Sequence, residues 1–232
     1  MRTVRIRAVA TFVGLLGICG TNAIADGKAP CATLPLSVVN VPNAEVQDLI
    51  CDGADRAIEI LSGCGIGPRE SLEMHVRKEV RHPLGDELLA FFDTSNERIL
   101  ISEIEVMASL VQGTPYAQLP LREFFQSVVS HEVVHAVLHH HYRRRPPNRA
   151  TVEYPAYAIQ IASLSIPARD LFLQTVRKRG DIANARLNDI ILAADPFLFA
   201  ARAYAHFDAF PGGCQHIRAI IRGRPTFIPH LQ

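Results

Sequence analysis

Apolar residues cover nearly every side of one segment in the middle of the chain, between Pro120 and the Pro146-Pro147 pair. They include Phe124, Val129 and Val134, which lie on different faces of any helix built there. Proline is tolerated in the first turn of a helix but interrupts one from within. The pattern therefore predicts a helix that starts at Pro120, ends before the two prolines, and is buried rather than lying on the surface.

The preceding part of the chain combines one helix with several strands. Apolar residues recur at helical spacing over 43–62, which predicts an amphipathic helix. Apolar and charged residues alternate over 71–81, as in a half-buried strand. The segments 88–92 and 98–102, joined by Asp-Thr-Ser-Asn, predict a β-hairpin.

The following part is predicted to be mostly helical. Its predicted helices cover 151–160, 167–179, 186–193, 196–210 (capped by Asp195) and 214–221, and a further helix is predicted at 102–112, between the hairpin and the central segment. The fold class is therefore α+β, with a small mixed or antiparallel sheet packed on the buried central helix and a mostly helical C-terminal lobe. One domain is expected over 26–232, with its sheet-containing part at about 26–142 and its helical lobe at about 150–232.

Residues 1–25 are predicted to form a signal peptide. Three arginines precede an apolar run over 8–20 that is too short to span a membrane, and Ala-Ile-Ala at 23–25 fits a cleavage site. The mature protein is therefore expected to be exported, to the periplasm or beyond. Loss of the three arginines changes the formal charge from 24 − 23 = +1 to 21 − 23 = −2. That balance predicts neither a nucleic-acid nor a membrane partner.

Four cysteines remain in the mature chain: Cys31, Cys51, Cys64 and Cys214. In an oxidising compartment an even number predicts two disulfides, and no C-x-x-C spacing favours a metal instead. Cys51 and Cys64 lie on one predicted helix, about 20 Å apart, which is too far for a bond. If 32–41 runs extended along that helix, Cys31 returns to the level of Cys64. The favoured pairs are therefore Cys31–Cys64 and Cys51–Cys214.

The central helix contains His131-Glu132-Val133-Val134-His135, an H-E-x-x-H motif. Histidines four residues apart lie on one face of a helix, where both imidazoles reach one metal ion. A glutamate beside the first histidine is placed to accept a proton from a water on that metal. Two histidines and a glutamate inside an apolar helix also need partners to offset their burial. The motif predicts a zinc site.

Three candidates for the third ligand follow the motif. His141 has the offset of a third histidine, but Leu138 replaces the glycine that such sites need, and no methionine lies downstream. His139 lies roughly 12 Å along the helix axis from His131. Glu153, on the next predicted helix, lies eighteen positions after His135. Thr151 is the predicted cap of that helix, and Glu153 is the third ligand that a family resemblance implies.

With this glutamate, the chain resembles the gluzincin metallopeptidases over 130–136 and 153–158. Tyr157 stands where that family often has an aspartate. The resemblance implies a zincin-like fold, a Zn²⁺ ion held by His131, His135 and Glu153, and Glu132 as the general base. The implied reaction is hydrolysis of peptide bonds in a peptide or protein substrate by a metal-activated water.

Further roles follow from the resemblance. Tyr154, Tyr157 and His206 are candidate donors to the oxyanion of the tetrahedral intermediate. The strand 99–102 is the candidate edge that pairs with an extended substrate. The basic segment 139–145 is expected to be a solvated helix end, with attraction of acidic substrates as the alternative. A different class of function is a non-catalytic zinc-binding scaffold or partner-binding module, although such a module has no use for Glu132.

Overall fold

The computed structural model describes residues 28–32, 34–81, 85, 87–144, 146, 148–183, 186–209 and 212–224. These residues form a mixed α+β structure with a small mixed sheet, as predicted. The predicted signal peptide, 1–25, lies outside the described residues. All the strands precede residue 103, and the chain from residue 104 onward is helical apart from its connections.

The strands are β1 Lys28–Pro30, β2 Leu36–Val39, β3 Leu72–Arg77, β4 Val80–Arg81, β5 Glu87–Leu88, β6 Ala90–Asp93 and β7 Arg98–Ser102. The helices are α1 Ala44–Gly63, α2 Ile104–Leu110, α3 Leu121–His139, α4 Arg149–Ala162, α5 Ile166–Arg177, α6 Asp189–Ala194, α7 Pro196–Asp208 and α8 Gly212–Ile221, with a 3₁₀ turn at Pro115–Gln118. Each predicted helix is therefore present, with ends that shift by a few residues, whereas the strand predicted over 71–81 divides into β3 and β4, which belong to different sheets.

Five strands form the main sheet, in the order β1-β2-β3-β7-β6. The β1/β2 and β6/β7 pairs are antiparallel, and β2/β3 and β3/β7 are parallel. The predicted hairpin is the β6/β7 pair. However, the prediction that 99–102 forms the sheet edge is wrong, because β7 is enclosed between β3 and β6. The edge strand on this side of the sheet is β6.

Helix α3 is buried between α1, α4 and the β6/β7 side of the sheet. Its contact with α1 is close: a Cβ added at Gly53 would lie 2.6 Å from the backbone oxygen of Gln126. The Ser130 hydroxyl donates to the Gly53 oxygen at 2.7 Å across the same contact. Glycine at 53 therefore sets the helix separation, and the apolar pattern of α3 is explained by its central position.

Helix α4 starts earlier than predicted, because the Asn148 side chain, not Thr151, is its N-cap and accepts from the Thr151 amide at 2.9 Å. Pro155 consequently lies inside the helix rather than in its first turn. Helix α3 ends earlier than predicted, at His139, so most of the basic segment 139–145 lies outside a helix. The Asp195 cap of α7 is confirmed.

Two disulfides are present, and both predicted pairings are wrong: the bonds are Cys31–Cys51 and Cys64–Cys214. The extended segment before α1 is only four residues long, and the Cys31 amide donates to the Leu36 oxygen at its start. A strand of this length rises about 10 Å, which matches only the first seven residues of α1. Cys31 therefore lies beside Cys51, and Cys64 bonds instead to Cys214 at the start of α8.

The helices after α3 pack on α4 and α7, and their apolar residues join those of the sheet in one continuous core. Two disulfides are typical of an exported protein. Within the described part of the chain, no helix combines the length and apolar character needed to cross a membrane.

Candidate metal centre

The two histidines of the motif lie one turn apart on α3, with their side chains directed at the same point. Their Nε2 atoms are 3.1 Å apart. The Glu153 Oε2 atom, from α4, lies 3.4 Å from Nε2 of His131 and 3.6 Å from Nε2 of His135. The predicted convergence of His131, His135 and Glu153 is confirmed.

The separations of these three atoms fit a metal ion. A tetrahedral zinc ion with bonds of about 2.0–2.1 Å places its ligand atoms roughly 3.3 Å from one another. The observed edges of 3.1, 3.4 and 3.6 Å bracket that value. Two imidazoles and one carboxylate are also a donor set that zinc commonly takes in sites with an open position. The residues present therefore fit a zinc ion.

Burial and charge keep Glu153 in the form that binds a cation. Burial alone would raise the pKa of this carboxyl, but hydrogen bonds from His131 and His135 hold it well below its usual value. For His135, burial lowers the pKa, and the Glu153 carboxylate outweighs that effect and raises it. Glu153 is thus ionised at neutral pH, as a metal ligand must be. Its second oxygen, Oε1, lies 3.7 Å from Nε of Arg149.

Gln160, two turns after Glu153 on α4, orients the first histidine. Its side-chain oxygen accepts from Nδ1 of His131 at 2.9 Å. A bond that keeps a proton on Nδ1 leaves Nε2 as the nitrogen whose lone pair a metal ion would take. Gln160 is 3% exposed, so this bond is shielded from water. Sequence reasoning missed this residue, although its spacing of seven from Glu153 places both on one face of α4.

Glu132 is buried beside the ligands and contacts the edge strand. It is 7% exposed, and its carboxylate accepts a hydrogen bond from the Phe92 amide of β6. Burial raises the pKa of Glu132, and the nearby histidines reduce that rise. The edge strand thus fixes the position of this carboxylate next to the ligand set.

A cleft of about 610 Å³ opens over the ligands. Strands β5 and β6 form one wall and α3 and α4 the other, with the three ligands and Glu132 at the bottom. Its volume is within the range of small-molecule and peptide sites. Substrate-sized molecules therefore have access to the candidate metal ligands.

The three residues predicted as oxyanion donors occupy different places. Tyr157 lines the cleft, with its ring centroid 4.7 Å from that of His131. Tyr154 is fully buried, and its hydroxyl bonds to Nδ1 of His206 at 2.7 Å, in a separate cluster with His216. Neither Tyr154 nor His206 lines the cleft. Only Tyr157 is placed for the predicted role.

Two other tyrosines in the cleft wall were not predicted. The hydroxyls of Tyr116 and Tyr142 are buried and have no hydrogen-bond partner among the described residues. Burial raises the pKa of Tyr142, with a further contribution from the Glu153 carboxylate. Tyr142 lies beyond the end of α3 at His139, so helical spacing from His135 does not account for its position. No sequence pattern indicated Tyr116, which reaches the cleft from the 3₁₀ turn.

A second group of possible metal ligands is formed by Glu70, Glu97 and His140. Both glutamates are exposed, whereas the side chains of His131, His135 and Glu153 are 12–15% exposed. Exposed acidic groups lose little by remaining hydrated, so their proximity alone does not indicate a metal. The buried group is the candidate metal centre.

The fold and this site define an α+β protein with a two-histidine, one-carboxylate candidate metal centre at the bottom of a cleft. The chain belongs to a family of unknown function, DUF6639, whose family model matches residues 37–230. The match includes the three candidate ligands, His131, His135 and Glu153, and also Glu132. No curated protein and no solved structure matches the chain.

Proposed function

We propose that this protein is a zinc-dependent metallopeptidase of the gluzincin type, with a zincin-like fold. The observation that carries the proposal is the triangle of ligand atoms from His131, His135 and Glu153, with the Glu132 carboxylate beside it in an open cleft. A site that only stabilised the fold would be closed by a fourth protein ligand and would need no adjacent carboxylate.

The geometry supports the following proposed division of roles. His131, His135 and Glu153 would hold the ion, which when bound supplies Lewis acidity toward water and a carbonyl group. Glu132 takes a proton from the water that attacks the carbonyl carbon. It then gives that proton to the amine nitrogen as the C–N bond breaks. Tyr157, whose ring packs on His131, is the proposed donor to the oxyanion.

Strand β6 is the proposed site of substrate pairing. The Ser102 amide donates to the Leu89 oxygen, and hydrogen-bonded pairs alternate along an antiparallel ladder. In the β6/β7 register, Ala90 and Phe92 therefore direct their backbone groups away from β7, toward the cleft side. The Phe92 amide already donates to Glu132. No described residue pairs with the outward backbone groups of Ala90, and we propose that an extended peptide pairs there by strand addition.

The experiment compares the parent with Glu132→Gln and Glu153→Ala. We expect about one zinc per chain in the parent and in Glu132→Gln, and a large loss of zinc in Glu153→Ala, all measured by elemental analysis. Glu132→Gln should lower the rate of peptide-library cleavage by about 10²–10⁴-fold, because it removes the general base. A parent that binds zinc but cleaves no peptide would refute the peptidase and support a zinc-binding scaffold. A parent without zinc would refute both.

A further inference from the structure

The ends of α3 and α8 meet on a part of the surface that is rich in arginine. The Arg143 amide, just after α3, donates to the Ile221 oxygen at 3.0 Å. A Cβ added at Gly223 would lie 3.6 Å from the Arg144 side chain. The two segments are therefore in direct contact, and Arg222 and Arg224 on one lie beside Arg143 and Arg144 on the other.

A cavity of about 570 Å³ opens next to this contact. Three arginines line it, Arg218, Arg222 and Arg224, together with Gln215 and two histidines. None of its described lining residues is acidic. The cavity thus combines several hydrogen-bond donors with an excess of positive charge.

In the described part of the chain, some arginines have their charge balanced by a nearby carboxylate, whereas the arginines around this cavity do not. Five arginines elsewhere lie against a carboxylate: Arg81, Arg98, Arg122, Arg149 and Arg179. In contrast, Arg143, Arg144, Arg218, Arg222 and Arg224 form no ion pair with any described residue. Helix dipoles do not balance this charge, since a helix C-terminus carries only about half an elementary charge. Among the described residues, these five guanidinium groups therefore have no neutralising partner.

One guanidinium of the cavity is held in place by the fold. Nη1 of Arg218 donates to the Cys64 oxygen at 2.8 Å, and Cys64 is bonded to Cys214 at the start of α8. The disulfide and this hydrogen bond tie α8 to the end of α1. A fixed donor raises affinity, because less side-chain entropy is lost when a ligand binds.

We propose that this arginine-lined cavity is a binding site for a phosphate group. Guanidinium groups pair with phosphate oxygens through two parallel hydrogen bonds, which makes arginine the preferred residue for this anion. The cavity volume is that of a small-molecule site, so the phosphate belongs to a soluble phosphorylated compound or to a lipid headgroup. The site shares no residue with the candidate metal centre and does not rest on the proposed peptidase activity.

The test uses the full mature chain and two probes. Inorganic phosphate is titrated by calorimetry at constant ionic strength, and phosphatidylcholine vesicles with and without phosphatidic acid are assayed by co-sedimentation. The variant is Arg222→Gln/Arg224→Gln, whose side chains are both exposed. The matched control, Arg177→Gln/Lys178→Gln, removes the same two charges at the end of α5.

We expect the parent and the control to bind phosphate equally, and the Arg222/Arg224 variant to bind it about tenfold more weakly or worse. Binding to phosphatidic acid vesicles with the same dependence on Arg222 and Arg224 would identify a lipid headgroup as the source of the phosphate. Phosphate binding without vesicle binding would identify a soluble compound. Absence of binding in both assays, or an equal loss of phosphate binding in the control, would overturn the proposal.

Discussion

Gln160 is the residue whose substitution tests most directly how the second helix supports the candidate metal centre. Its side-chain oxygen accepts from Nδ1 of His131 at 2.9 Å, and the residue is 3% exposed. Gln160→Leu keeps the approximate volume and removes the acceptor. Nδ1 of His131 then has no partner to fix the tautomer in which the Nε2 lone pair would bind a metal ion.

Two estimates of the effect agree. A buried donor left without its acceptor costs about 1–3 kcal/mol. Loss of a residue that orients a metal-bound histidine typically weakens metal affinity by about 10–100-fold, which corresponds to about 1.4–2.7 kcal/mol. We therefore expect the zinc dissociation constant of Gln160→Leu to rise by about 10–100-fold. Gln160→Glu, which retains an acceptor, should remain close to the parent or bind more tightly.

The assay is competition for zinc against a chromophoric chelator, with folding of each variant checked by circular dichroism. Gln126→Leu is the matched control, because Gln126 is also buried and bonds to Asp52 at 3.3 Å on the α1 side of α3. This control should lose stability without a change in zinc affinity. Equal zinc affinity in Gln160→Leu and the parent would refute the role of Gln160. An equal loss of zinc affinity in Gln126→Leu would show that the effect of Gln160→Leu comes from general destabilisation.

Three further predictions concern the fold. Gly53→Ala should lower the free energy of unfolding, measured by urea titration, by about 1–2 kcal/mol. A Cβ at this position would lie 2.6 Å from a backbone oxygen of α3, and the cost of this overpacking exceeds the gain of about 1 kcal/mol in helix propensity. Unchanged or greater stability would contradict the close helix contact. Replacing Cys64 and Cys214 by serine should lower the free energy of unfolding by about 5 kcal/mol, and replacing Cys31 and Cys51 should lower it by about 3 kcal/mol. The difference follows from the sequence separations of the two disulfides, which are 150 and 20 residues. Equal urea midpoints of the two variants would argue against this loop-closure account. Burial lowers the pKa of His216 from 6.5 to about 4, so an unfolded chain binds a proton between these values that the folded chain does not. In zinc-free protein, the unfolding free energy of the parent should therefore fall more than that of His216→Phe as the pH decreases from 6.5 to 4, by about 1 kcal/mol once solvent screening of this partly exposed ring is allowed for, whereas parallel profiles would exclude this coupling.

Local sequence patterns were sufficient to predict the helices and most strands, and two of the three candidate metal ligands, His131 and His135. The spacing of His131 and His135 depends only on the helix period, so both imidazoles were predicted to share one face of α3. The Asp195 cap and the β6/β7 hairpin also depend on short-range bonds, since a cap or tight turn involves residues only a few positions apart.

The position of Glu153 was also predictable, but from a family resemblance rather than from local physics. Nothing in the residues near Glu153 specifies that α4 returns to α3 with this carboxylate facing the imidazoles. The same absence of a local cause explains the error over Thr151, because Asn148 competes for the same cap and begins the helix three residues earlier.

Only the tertiary structure decided which distant groups meet. The observed disulfide pairing differs from the predicted one because strand β2, with four residues, is shorter than the predicted extended segment. Cys31 therefore lies at the level of Cys51. The edge strand is β6 rather than the predicted segment 99–102, because β7 pairs with β3 as well as with β6. The Gln160 bond and the arginine-lined cavity likewise depend on how helices pack. Sequence periodicity specifies which side of an element is apolar, whereas packing of whole elements determines the neighbours that each side acquires.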